Sequence, residues 1–137
     1  MASSATEKQS GHLGPGGSEG YELFDRINVE DTAREAARIA VTMLGAKPCP
    51  AGKIPVVIDN GFGGVIFHEA CGHGLEATAV ARNASVFAGK LGQQIASPLV
   101  TALDDGTIPN GWGSAEMDDE GTPTAKNILI ENGILRS

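Results

Sequence analysis

The chain has 137 residues, of which 41% are hydrophobic, so its length suits one domain and its composition is not that of a disordered chain. Acidic side chains number 17 against 10 basic ones, and the formal net charge of −7 opposes extended contact with phosphate backbones or an anionic membrane surface. We therefore expect neither direct nucleic-acid binding nor a membrane partner. Nineteen glycines and an aromatic content of 4% indicate a loop-rich, lightly packed chain.

The two cysteines and the N-terminus bear on the compartment. Cys49 and Cys71 have a spacing typical of neither a disulfide framework nor a Cys-x-x-Cys metal site, which fits a reducing compartment. The first twenty residues lack the basic start and apolar core of a signal peptide. The longest apolar runs, 54–58 and 65–67, are too short to span a bilayer. We expect a cytoplasmic protein.

Residues 1–20 are rich in glycine and other turn-forming residues. Such a segment cannot offset its ordering entropy by burial, so we expect it to be flexible, or ordered only where something covers it. His12 lies in this segment, either as a third metal ligand or as a solvated loop histidine. We divide the chain into this segment, an α/β part over 21–83 and a β-rich part over 84–137.

The α/β part is predicted to begin with a helix that runs from Asn28 or Asp31 to about Leu44. Its apolar residues recur at helical spacing, and Gly45 and the prolines after it end the helix. Residues 53–59 then have the composition of a short buried strand. The following glycines lack both the Gly-Lys-Ser/Thr of a P-loop and the third glycine of a dinucleotide fingerprint, which disfavours nucleotide binding.

The densest chemical signal is the stretch 63–76, which contains two of the three histidines and a glutamate: His68, Glu69 and His73. A neutral imidazole is the commonest protein ligand of a transition metal, and a glutamate beside a metal-bound water can act as general base. Histidines five residues apart lie roughly 140° apart on a regular helix. A π-bulge, or unwinding at Gly72 and Gly74, would bring them together. The alternative is a helix with one buried and one exposed histidine and no metal.

Two further residues of the motif could take part. Glu76 is three residues beyond His73 and could orient its ring, ligate a metal directly, or be a plain surface acid. Cys71 is a soft donor, but its place on the helix favours a buried small hydrophobic residue. We expect the motif helix to run from Gly63 or Gly64 to about Val80 or Ala81.

The β-rich part is predicted to contain a strand at 99–103, an acidic turn at 104–106 and a second acidic turn at 117–123. The acidic turns lack the alternating oxygen ligands of an EF-hand loop, so we expect solvated turns rather than calcium sites. Residues 127–136, with Asn132-Gly133 at the centre, predict a β-hairpin. The fold class is α+β: a long helix, a short strand, a motif helix, then a hairpin-rich part.

Several motifs together resemble the TldD/PmbA family, once described as modulators of DNA gyrase and understood as zinc metallopeptidases. They extend from the His68-Glu69-x-x-x-His73-Gly74-Leu75-Glu76 stretch through 85–92, 104–107 and 118–123 to the hairpin at 127–135. The resemblance implies that His68 and His73 bind Zn²⁺ and that Glu69 is the general base. It also implies a TldE/PmbA-like partner subunit that lacks the motif, and a heterodimer that degrades small or unfolded peptides.

The resemblance also implies that this chain is the central segment of a larger fold. Family members are roughly three times as long, and their third zinc ligand is a cysteine in the C-terminal domain, for which no position here corresponds. We therefore expect the isolated chain to bind metal weakly, since a catalytic zinc usually has three protein ligands. The alternatives are a catalytically silent binding or regulatory module with the same fold, and a structural fragment.

Overall fold

The computed structural model describes all 137 residues. It divides into two compact units, and we treat each by itself. The N-terminal unit comprises Met1–Lys53 and Ile108–Ser114, and the motif unit comprises Ile54–Thr107 and Ala115–Ser137. Helices and small antiparallel sheets are both present, which confirms the predicted α+β class. No helix combines the length and the apolar composition that crossing a membrane requires.

The N-terminal unit is organised around one long helix. Strands β1 (Ala2–Ser3) and β2 (Lys8–Gln9) form a small antiparallel sheet, and helices α1 (Leu23–Arg26) and α2 (Val29–Met43) follow. Helix α2 begins where the Asn28 side chain accepts hydrogen bonds from the backbone N–H groups of Glu30 and Asp31, as the capping pattern predicts. The helix prediction is therefore confirmed. The first twenty residues also hold two short strands that the sequence did not indicate.

The motif unit contains a three-stranded antiparallel sheet in the order β3-β4-β5. Its strands are β3 (Ala102–Asp105), β4 (Lys126–Glu131) and β5 (Ile134–Leu135). Asn132 and Gly133 connect β4 to β5 with φ values of 49° and 82°, the pair of positive values that a tight hairpin turn requires. The predicted hairpin is confirmed. Its core is small: Ala102, Ile130 and Leu135 are buried, and Leu75 and Phe87 are among the residues packed against them.

Two strand predictions need correction. Residues 53–59 form no strand, and Val57 in their centre is fully exposed. A strand needs a neighbour to pair its backbone groups, and none of the backbone hydrogen bonds involves this segment. The strand predicted at 99–103 starts later, at Ala102, because Val100 already donates to the Ser97 carbonyl in a turn. Asp104 and Asp105 are consequently strand residues, and the turn falls at Gly106 and Thr107.

The motif segment is not one helix, contrary to the prediction. It consists of a 3-10 turn (Gly61–Gly64), helix α3 (Val65–Phe67), a π turn (His68–Gly72), a second 3-10 turn (His73–Leu75) and helix α4 (Ala77–Ala81). Glu76 interrupts the helical path with a ψ of 128° and precedes α4. The helical span is close to the predicted one, but its hydrogen-bonding pattern changes at His68 and again at His73. This irregular interior determines the geometry of the site.

Candidate metal site

The π turn brings together the two histidines that the five-residue spacing separates on a regular helix. The backbone N–H of His73 donates to the carbonyl of His68, which is the i to i+5 bond that defines a π turn. His68 and His73 both keep right-handed helical dihedral angles. Of the two remedies open from the sequence, the structure shows the π-bulge.

The side chains of the two histidines are close neighbours. Their ring centroids lie 4.4 Å apart and their planes are inclined by 70°, an edge-on arrangement. Glu69 lies beside them, with its Oε2 atom 3.9 Å from Nε2 of His73. Each of the three residues His68, Glu69 and His73 offers one ligand atom, and these atoms lie within 4.8 Å of one another. The structure therefore assembles the three residues that the motif singles out.

Glu76 contacts His73 directly. Its Oε1 atom lies 2.8 Å from Nδ1 of His73, a hydrogen bond in which the ionised carboxylate can only accept. Nδ1 therefore carries the proton in the neutral ring, and Nε2 is left with its lone pair free. The sequence left three roles open for Glu76, and this contact corresponds to the one in which Glu76 orients the ring of His73. Carboxylates commonly orient metal-binding histidines in this way.

The carboxylates also alter the titration of His73. The pKa of His73 is raised above its usual value, chiefly by the hydrogen bond to Glu76 and further by the nearby charge of Glu69. The ring remains well exposed, with 58% of its side-chain surface accessible to solvent, so solvent screens this effect. A raised pKa means that protons compete with a metal for Nε2 over a wider range of pH.

Cys71 and Gly72 occupy the interior of the π turn. Sγ of Cys71 lies 3.3 Å from the carbonyl oxygen of Phe67, and partial burial raises the pKa of its thiol. Cys71 is absent from the group of close ligand atoms, and it is half-buried, whereas the sequence led us to expect a buried small hydrophobic residue. Gly72 lies under the ring of His68: a Cβ atom there would stand 3.3 Å from Nδ1 of that ring. The glycine therefore leaves room for the observed ring position.

An open cleft of about 570 Å³ inside the motif unit adjoins His68, Glu69 and His73, which we call the candidate metal-binding group. His68 and Glu76 line it from the motif, and Asp104, Asn127 and Leu129 line it from β3 and β4. This wall is not predictable from the sequence, since Asp104 is expected in a turn and nothing in the spacing connects residue 68 with residue 127. A volume of this size is within the range of pockets that hold small ligands.

Residues 51–137 match the family model described as the PmbA/TldA metallopeptidase C-terminal domain. The chain belongs to the PmbA/TldD family. This membership confirms the resemblance that the motifs indicate, and the matched region includes His68, Glu69 and His73.

Curated relatives of the family are similar over nearly the whole chain. A metalloprotease TldD homolog of Buchnera aphidicola is 43% identical over 137 residues, which cover 95% of this chain and 28% of the relative. A metalloprotease TldD homolog of Haemophilus influenzae is 44% identical over 135 residues, again 95% of this chain and 28% of the relative. The chain thus spans little more than a quarter of the length of these relatives.

A solved structure of the family shares the fold. It is the Thermotoga maritima protein described as a candidate modulator of a DNA gyrase, with a TM-score of 0.69 and 34% sequence identity. The similarity covers 82% of this chain and 26% of the Thermotoga chain. The arrangement of short helices and antiparallel strands described above is therefore one part of a larger PmbA/TldD fold.

Proposed function

We propose that this chain carries the metal-binding segment of a zinc-dependent peptidase of the TldD type. In this proposal His68 and His73 are zinc ligands, Glu69 is the general base and Glu76 orients His73. The observation that carries the proposal is the π turn, which gathers the ligand atoms of His68, Glu69 and His73 within 4.8 Å of one another despite the unusual spacing.

The donor set fits zinc. Zinc accepts imidazole nitrogen and carboxylate oxygen in a tetrahedral arrangement and has no geometric preference of its own, so two histidines on an irregular turn can serve it. A free Nε2 on His73, fixed by the Nδ1 contact with Glu76, is the tautomer that a metal requires. When bound at such a site, zinc polarises the carbonyl of a peptide bond and lowers the pKa of a water molecule.

In this proposal, Glu69, Glu76 and the cleft beside His68 have the remaining roles in the reaction. Glu69 accepts a proton from the attacking water and passes it to the leaving amine, since its carboxylate stands next to the ligand atoms. Glu76 holds the ring of His73 and favours its positive form when the metal is absent. The cleft beside His68 gives a peptide a place to lie against the site.

We further propose that the substrates are small or unfolded peptides, that a TldE/PmbA-like subunit is the partner, and that the protein is cytoplasmic. The open cleft supports the first point, because a folded protein would not present an extended segment to it. The partner rests on the resemblance to the TldD branch, and the cytoplasmic location fits two cysteines without a disulfide.

The decisive experiment measures zinc content and peptide hydrolysis together. The chain is assayed alone and joined to the remaining portion of a TldD relative, with the variants His68→Ala and Glu69→Ala. Glu120→Ala is the matched control, since Glu120 is an exposed glutamate in the second acidic turn. We expect His68→Ala to lose zinc, and Glu69→Ala to keep zinc while hydrolysis falls by a factor of about 10²–10⁴.

Three results would contradict parts of this proposal. Unchanged hydrolysis by Glu69→Ala would show that another group is the base. Loss of zinc from Glu69→Ala would make Glu69 a ligand instead. If the joined protein bound no zinc, the peptidase function would be wrong, and a silent binding module of the same fold would remain.

A further inference from the structure

The cleft beside the candidate metal-binding group has a largely apolar wall. Phe67 and Leu75 line it from the motif segment, and Leu103 and Leu129 line it from the sheet. Leu75 and Leu129 also pack against the core, which makes this wall part of the fold and not a set of loose side chains. The wall can accept an aliphatic chain of several carbons.

The charged groups of the cleft are all acidic. No lysine or arginine lines it, whereas Glu76 and Asp104 do. Glu76 is hydrogen-bonded to His73, but Asp104 makes no ion pair or side-chain hydrogen bond in the structure. Its neighbour Asp105 differs, because it pairs with Lys126 and accepts from Thr107. Asp104 is therefore the side-chain carboxylate of the cleft that is free of such contacts.

The strand register keeps Asp104 and a polar partner on the same side. Asp104 lies directly opposite Asn127 across β3 and β4, and residues paired in this way project from the same face of a sheet. Both line the cleft. A carboxylate and an amide oxygen thus lie next to an apolar wall, and the cleft contains no lysine or arginine that would pair with them.

Lysine and arginine side chains combine an apolar stem with a cationic end, which is the chemistry that this surface complements. We propose that the cleft binds a lysine or arginine side chain of the peptide substrate near the bond that is cleaved, with the stem on Phe67 and Leu129 and the cation at Asp104. The inference rests on the peptidase function proposed above, because it assigns the substrate preference of that site. His68, which lines the same cleft, places this subsite beside the candidate metal-binding group.

Binding of small blocked peptides to the metal-free chain tests the proposal. The probes are acetyl-Ala-Lys-Ala-amide and the same peptide with norleucine or glutamate in the central position, titrated by NMR. Norleucine has the aliphatic stem of lysine without its charge. We expect the lysine peptide to bind more tightly than the norleucine peptide by up to about fivefold, the factor of an exposed ion pair, and the glutamate peptide to bind most weakly.

Matched variants locate the effect. Asp104→Asn should reduce the affinity for the lysine peptide to that of the norleucine peptide, while Asp119→Asn, which makes the same change of net charge in the exposed acidic turn, should leave it unchanged. Added salt should weaken the lysine preference, since the pair is exposed to solvent. Chemical-shift changes should centre on Asp104, Asn127 and His68.

Each other result would overturn the proposal. Equal binding of the lysine and norleucine peptides would show that the cleft recognises only the apolar stem. Equal effects of the two asparagine variants would show that the preference for lysine comes from the net charge of the chain and not from Asp104. The proposal is also overturned if none of the peptides binds. It is overturned as well if the chemical-shift changes centre on a second cavity of about 530 Å³, which is lined by Val80 and Leu91 among others. This titration uses no metal, so its result does not depend on the outcome of the zinc experiment. Conversely, peptide hydrolysis without a preference for lysine or arginine would overturn the proposed subsite and leave the proposed peptidase function intact.

Discussion

Replacing Gly72 by alanine should separate stability from metal binding. Gly72 has a φ of −53° and a ψ of −55°, so alanine fits its backbone and should stabilise the helical segment by about 0.8–1 kcal/mol through intrinsic propensity. The new Cβ atom would stand 3.3 Å from Nδ1 of His68, a contact closer than side chains normally tolerate. The ring must therefore shift by a few tenths of an ångström. We expect zinc affinity to fall by about tenfold, at the lower end of the effect of disturbing groups that orient metal ligands.

Gly64→Ala is the matched control for this substitution. Gly64 also has helical dihedral angles, and a Cβ atom there would meet nothing within 4 Å. Both variants should raise the midpoint of thermal unfolding by a few degrees, measured by circular dichroism. Only Gly72→Ala should weaken zinc binding, measured by competition with a chromophoric chelator. Equal zinc affinities for the two variants would refute the idea that Gly72 makes room for His68, and so would a loss of stability confined to Gly72→Ala.

Substitutions at three further positions test the site and the fold. Glu76→Gln removes the main cause of the raised pKa of His73, so NMR titration of the metal-free chain should show that pKa lower than in the wild type; an unchanged value would contradict the hydrogen bond. A histidine whose pKa is raised in the folded state stabilises the fold at pH values below its unfolded pKa, and this contribution is lost as the pH rises through the folded pKa. The wild type should therefore be more stable than Glu76→Gln in mildly acidic solution, where the Glu76 carboxylate is still ionised. The difference in stability should vanish in alkaline solution. Asn28→Ala should lower the free energy of unfolding by about 1 kcal/mol in urea titrations, as loss of a helix cap does, and Asn28→Ser should restore most of it. Gly133→Ala should lower the free energy of unfolding by well over about 1 kcal/mol, because Gly133 has a φ of 82° and a Cβ atom there would stand 2.5 Å from the Ala96 carbonyl oxygen. An unchanged free energy of unfolding would show that the turn can rearrange.

The features predicted correctly from the sequence depend on local interactions. The cap of α2 is an interaction between Asn28 and residues two and three positions later, and the hairpin turn needs only the positive φ values of Asn132 and Gly133. The proximity of His68, Glu69 and His73 is also local, since they lie within six residues and one π-turn hydrogen bond joins the two histidines; that they bind a metal stays a prediction. Patterns of residue type and spacing carry this information directly.

The features that the sequence did not predict depend on distant partners. Residues 53–59 have strand composition, but composition does not supply the neighbouring strand that would pair with them, and the segment stays exposed. The cleft wall is a similar case: Asp104 and Asn127 are opposite each other because β3 pairs with β4 in a particular register, with an irregularity between Ala102 and Leu103. Register of this kind depends on the assembled sheet and not on either strand alone.

The exposure of the candidate metal-binding group bears differently on the zinc affinity and on the hydrolytic activity that we propose for it. The side chains of Glu69 and His73 are 64% and 58% exposed, so water competes with every contact they make and screens their charges. In the proposed site, affinity for zinc depends on the ligand atoms, and the local turn gathers those of His68 and His73. Hydrolysis of a peptide also requires stabilisation of the charge that develops in the transition state. Charged and polar groups stabilise that charge far more strongly in a site from which water is excluded. Covering this face should therefore increase the rate of hydrolysis by a larger factor than it increases zinc affinity. A covering segment that changed both by the same factor would show that it acts only as an additional ligand.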